Sequence, residues 1–77
     1  MQANYTIAQE VIKSIDRIGR NSHPADLTLE EWQKTLNIIR IAMTQIILNF
    51  DEGTPIDDKL VEDGCYLLGA YFMHLFD

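Results

Sequence analysis

Seventy-seven residues, 47% of them hydrophobic and 23% charged, describe one globular domain that is too apolar to stay disordered. A formal net charge of -6, from twelve acidic and six basic residues, weighs against sequence-independent binding to a phosphate backbone, so no direct nucleic-acid partner is expected. The single cysteine, Cys65, excludes an internal disulfide and a multi-cysteine zinc site, which leaves oligomerisation as the common way for a chain of this length to enlarge its core.

Met1 to Tyr5 reads as a lead-in, and Thr6 with Gln9 forms a capping box for a first helix over about 7–20. No basic region followed by an apolar core opens the chain, so no secretory signal is expected and a cytoplasmic location is inferred. Within this helix Ile7, Val11, Ile15 and Ile18 fall on one stripe, with Ala8 and Ile12 beside it. Lys13, Arg17 and Arg20 gather on the opposite face as a candidate anion-binding strip. The plainer reading is a solvated face, paired through Asp16 with Arg20 and Glu10 with Lys13 or Arg17. The lack of an accompanying glycine-rich loop favours the plainer one.

Asn21 to Leu27 is polar and contains Pro24, which cannot donate a backbone hydrogen bond, so it reads as a link. His23 lies in it with no second ligand at useful spacing, and no metal site follows. Leu27 can act as a hydrophobic staple before the next helix.

That next helix, about 29–50, organises the chain. Thr28 and Glu31 make a capping box, and Glu30 and Glu31 suit the positive end of the helix dipole. Leu29, Trp32, Leu36, Ile39, Met43, Ile46 and Phe50 recur at alternating spacings of three and four, which places them on one seam. Ile38, Ile41, Ala42, Ile47 and Leu48 lie off it, so the second half is apolar nearly all round and calls for cover on more than one side. Arg40 and Gln45 interrupt any membrane-spanning run. Gly53 is free to take the left-handed conformation that ends many helices.

A third helix over about 55–76 has Thr54 as its expected cap, Pro55 at its first position and Asp57 at the acid position of the box. Asp51, Glu52, Asp57, Asp58, Glu62 and Asp63 concentrate half the acids of the chain around its start, as a solvated face or as a surface for a basic partner. They lack the alternate-position pattern of a calcium loop. Asp57 and Asp58, adjacent in sequence, diverge on a helix rather than share an acid/base site. Ile56, Leu60, Leu67, Tyr71 and Leu75 form one stripe; Val61, Cys65, Leu68, Phe72 and Phe76 form another. Cys65 therefore reads as a buried apolar residue, Gly64 as a point of close helix approach, and His74 as a packed or rim histidine. The terminal apolar run is too short to cross a bilayer, so no membrane partner is expected.

The fold expected is all-α, a three-helix bundle completed by homodimerisation, with Ile38, Ile41, Leu48, Phe72 and Phe76 as the self-association residues. The Leu27-Thr28-x-Glu30-Glu31-Trp32 start resembles that of small phage or prophage helical proteins of unassigned function. So does the tail from Glu62-Asp63-Gly64 through Leu67-Leu68-Gly69-x-Tyr71-Phe72 to Leu75-Phe76-Asp77, although Phe76 stands where tryptophan is usual. The resemblance implies a viral accessory protein and carries no chemistry with it.

No nucleophile–base arrangement, phosphate cradle or metal-ligand pair is present, and three short helices leave little room for a substrate cavity of about 300 Å³ or more. The expectation is therefore a non-enzymatic, cofactor-free interaction protein. For a phage product the natural version is an inhibitor that occupies a basic surface on a host defence or nucleic-acid-handling protein. Two alternatives stand beside it: an oligomeric binder of a nucleotide or other small anion through Lys13, Arg17 and Arg20, and a structural oligomer subunit.

Overall fold

The computed structural model describes residues 3–18 and 23–76 of the protein. It is all-α there, with α1 Ala3–Ile18, α2 Leu29–Glu52, α3 Asp58–Ala70 and α4 Phe72–Phe76. At 1.5 Å per residue the 24 residues of α2 account for the 37 Å long axis of the molecule. Both α1 and α3 pack on α2, and α4 packs on α1.

The start of α2 follows from local chemistry. Leu27 N–H closes a turn on Pro24 O at 3.2 Å. The Thr28 N–H then donates to Glu31 Oε1 at 2.8 Å, and the Glu31 N–H donates to Thr28 Oγ1 at 3.1 Å. The reciprocal pair satisfies two donors that every helix start otherwise leaves orphaned. The other end closes on Gly53, at φ 68°, whose N–H reaches Asn49 O at 3.0 Å. Only glycine takes that conformation without cost from a Cβ.

Helical periodicity separates the faces of α2. Arg40 pairs with Asp16, and Asp51 accepts from the Tyr5 hydroxyl at 3.4 Å, so α1 runs antiparallel along one side. Ala42 faces Gly64, the Gln45 Oε1 accepts from the Asp57 N–H at 2.8 Å, and Asn49 Nδ2 donates to Thr54 O at 2.9 Å, so α3 returns antiparallel along another. Between them lies the seam, where Trp32, Leu36, Ile39 and Met43 are buried with Ala8, Val11 and Ile15 of α1 and Leu75 of α4. Ile41 and Leu48 point to the remaining side.

Several boundaries differ from the sequence reading, each for a physical reason. α1 begins at Ala3, so Thr6 lies inside the helix and is not its cap; Tyr5, packed on Phe50 at 4.5 Å between ring centroids, holds this first turn down. α2 runs two residues beyond Phe50 to Glu52. α3 starts at Asp58, not at 55. Asp57 is its cap, with Oδ1 accepting from the Leu60 N–H at 3.2 Å. Residues 53–57 are held as a link by Gln45 and Asn49, which bond its backbone before a helix can. The expected continuous third helix breaks at Tyr71, the C-cap of α3, and resumes as α4. Cys65 is exposed rather than buried: Gly64 is the residue that meets α2, and the next position turns about 100° away.

Candidate interaction surfaces

Three groups of side chains stand out on the surface. The acidic group gathers at one corner, where the end of α2 brings Asp51 and Glu52 beside the link and the first turns of α3. Half of it is already engaged. Asp51 accepts from Tyr5, Asp57 caps α3, and Asp63 pairs with Lys59 at 2.7 Å. That bond, with the Asp63 charge behind it, pushes the Lys59 ammonium above its ordinary pKa. Glu52, Asp58 and Glu62 are exposed and turned to solvent.

The acidic corner mixes favourable and unfavourable placements: Asp57 caps α3 and Asp58 sits in its first turn, where the dipole favours acid. Asp51 and Glu52 occupy the last turn of α2, where the dipole presents its negative end and no basic residue compensates. Asp58 and Glu62 are like charges one turn apart on α3, a pairing that destabilises a helix by a few tenths of a kcal/mol. Desolvation against its neighbours and then the charge of Asp51 raise the Tyr5 phenol above the usual tyrosine range.

On α1, Lys13 stands 3.5 Å from Glu10 and Arg17 Nη2 donates to Ser14 Oγ at 3.2 Å. Arg20 lies outside the described residues. A carboxylate within the strip and a hydrogen bond that draws Arg17 along its own helix describe a solvated face better than an anion cradle. Asp16 reaches across to Arg40; its expected pairing with Arg20 lies outside the described residues.

The third group is apolar. Ile38 and Ile41 are 37% and 40% exposed on α2, with Leu48 half-buried further along. At the end of the chain Phe72 is 49% and Phe76 37% exposed, and their rings pack at 4.9 Å. Four of the five residues expected to self-associate are thus exposed, with Leu48 half-buried, in two places: the outer side of α2 and the outer side of α4. The structure adds Met73 and Tyr66, about three-quarters exposed, which sequence reasoning missed. Both lie off the apolar stripes: Tyr66 stands on the face of α3 turned away from α2, and Met73 follows the Tyr71 break, which no local signal in the sequence marks.

Beneath α4, Trp32 is fully buried, edge-on to Tyr71 at 5.5 Å and to His74 at 5.1 Å. Among the described residues no acceptor reaches its buried Nε1–H. Tyr71 continues outward, its hydroxyl donating to Asp26 Oδ2 at 3.3 Å. Partial desolvation first, and the Asp26 carboxylate second, hold that phenol above the usual range.

Among the described residues no group of three or more His, Cys, Asp or Glu is placed to hold a metal ion; His23 is exposed, its Nδ1 donating to Pro24 O at 2.9 Å. No helix is long and apolar enough to cross a membrane among the described residues. Comparison with protein-family models, with curated proteins and with solved structures gives no match.

Proposed function

We propose that this protein is a non-enzymatic interaction domain that pairs with a second copy of itself through its apolar surface and offers its acidic corner to a basic surface on another protein. The observation that carries the first part is the exposure of Ile38, Ile41, Phe72, Met73 and Phe76 on a chain whose helices have already made their mutual contacts. Exposed large apolar side chains clustered in this way mark association surfaces.

The second part is supported by Glu52 at the uncompensated end of α2 and by the exposed like charges of Asp58 and Glu62 one turn apart, both of which cations from a partner would offset. The resemblance of the Leu27–Trp32 start and of the tail to small phage proteins supports a phage-encoded inhibitor of a host protein as the natural version of this role, acting in the host cytoplasm.

Light scattering coupled to size exclusion, over a wide concentration range, tests the pairing. A dimer mass is expected, and Ile41→Glu with Phe76→Glu should shift it towards monomer. A monomer mass at every concentration would overturn it. Charge reversal at Asp58→Lys and Glu62→Lys should leave the dimer mass unchanged while abolishing capture of a basic partner; capture that survives the reversal would remove the acidic corner from the proposal.

A further inference from the structure

Residues 64–76 contain no Asp, Glu, Lys or Arg, so in a chain of net charge -6 this segment itself adds no charge to a contact with a second copy, although Asp77 follows it and Asp26 accepts from Tyr71. The helix breaks within this stretch, at a residue that is neither glycine nor proline. Tyr71 sits at φ -118° and ψ 23°, away from helical values. Its N–H nevertheless bonds Leu67 O at 3.1 Å, and the Leu75 N–H bonds Tyr71 O at 3.2 Å, so the helical pattern of i to i−4 bonds runs up to this residue and resumes from it. The bend lets α4 lie on its own α1, with Leu75 only 2% exposed and His74 edge-on to Trp32.

We propose that α3 and α4 can join into one continuous helix, Asp58–Phe76, and that residues 72–76 then dock on α1 and Trp32 of a second copy, which returns the same segment. This rests on the dimer of the preceding section and specifies how it is built. The occupant is a second copy because the site is already shaped to residues 72–76: Leu75 and His74 make the same contacts in trans as in cis, and exchange of an identical element is a low-cost route to a dimer. The hinge is a single residue with no loop to take up slack, the situation that invites exchange. Straightening asks one residue to return to helical φ and ψ, in a segment whose sequence has no helix breaker at that point.

Filtered nuclear Overhauser spectroscopy on an equimolar mixture of isotope-labelled and unlabelled full-length chain, unfolded and refolded together, decides it. Exchange predicts contacts between the Trp32 and His74 rings that cross from labelled to unlabelled chains. A dimer in which those contacts stay within one chain would overturn the exchange and leave the pairing standing. A monomer at all concentrations would overturn both. As a second readout, Gly-Ser-Gly inserted between Tyr71 and Phe72 lets α4 close on its own chain, and should remove the dimer at a concentration where the parent is dimeric while keeping its helical circular dichroism. A dimer that survives the insertion would count against exchange.

Discussion

Gly64 leaves room for Ala42 and for nothing more: a Cβ built on Gly64 would stand 2.2 Å from the Ala42 Cβ and 3.3 Å from the Ile38 carbonyl oxygen. The contact is between the bodies of two helices, so no flexible side chain can move aside. Gly64→Ala should therefore destabilise the fold by about 1–3 kcal/mol, although alanine is the better helix former by about 1 kcal/mol. Gly69 on the same helix meets nothing within 4 Å, and Gly69→Ala should stabilise by about 0.5–1 kcal/mol. Chemical denaturation midpoints of the two variants should move in opposite directions; the same sign for both would contradict the close approach.

The position of the α3 cap makes a similar pair. Asp57→Ala removes the acceptor of the Leu60 N–H and should cost about 1 kcal/mol. Thr54→Ala should change stability by less than about 0.5 kcal/mol, since only the backbone oxygen of Thr54 is engaged, by Asn49. Thermal unfolding of both variants checks this, and the reverse order would return the cap to Thr54. At α2, Thr28→Ala breaks the reciprocal box and should also cost about 1 kcal/mol.

Leu75 is the one residue of α4 counted in the core. Its replacement by alanine should cost about 2–4 kcal/mol, and much of the loss should be local, because five residues cannot hold a helix without that anchor. Trp32 is the only tryptophan and lies under α4, so its emission should shift to the red in Leu75→Ala before the far-ultraviolet signal of α2 is lost. Emission unchanged up to global unfolding would mean that α4 does not cover Trp32.

Tyr5 and Tyr71 link alkaline stability to two carboxylates. Both phenols are raised above the ordinary value of 10.0 by desolvation and by Asp51 or Asp26. A raised pKa means that the folded state holds the proton more tightly than the unfolded chain. The associated stability is complete below pH 10 and is lost as pH rises through the folded values. Denaturation followed from neutral to strongly alkaline pH should show stability falling above that point, and Asp26→Asn should lower the titration midpoint of Tyr71 in tyrosinate absorbance. A midpoint unmoved by Asp26→Asn would detach the phenol from that carboxylate.

Much of this architecture is legible in the linear chain. The Thr28–Glu31 box, the glycine at the end of α2 and the close approach at Gly64 are local or periodic signals that stand in the structure as read, while the seam read from Leu29 to Phe50 is buried at Trp32, Leu36, Ile39 and Met43 and exposed at its two ends, Leu29 and Phe50. Local chemistry also names the wrong cap: Thr54 reads as the cap and Asp57 as the acid of its box, yet Asp57 is the cap, because Gln45 and Asn49, on another helix, bind the intervening backbone. The Asp16–Arg40 pair, twenty-four residues apart, has no local signature at all.

The sequence by itself determined that the chain is helical, where α2 begins and which glycine closes it, because capping and periodicity are properties of a few consecutive residues. Tertiary structure alone decided the break at Tyr71 and the cover of Trp32 by α4; it also turned Cys65 outward, because Gly64 is the residue that meets Ala42. The break depends on how α4 lies against the buried seam, and the contact of Trp32 with His74, forty-two positions apart in the chain, is chosen by the packing of the whole, not by the preferences of either neighbourhood.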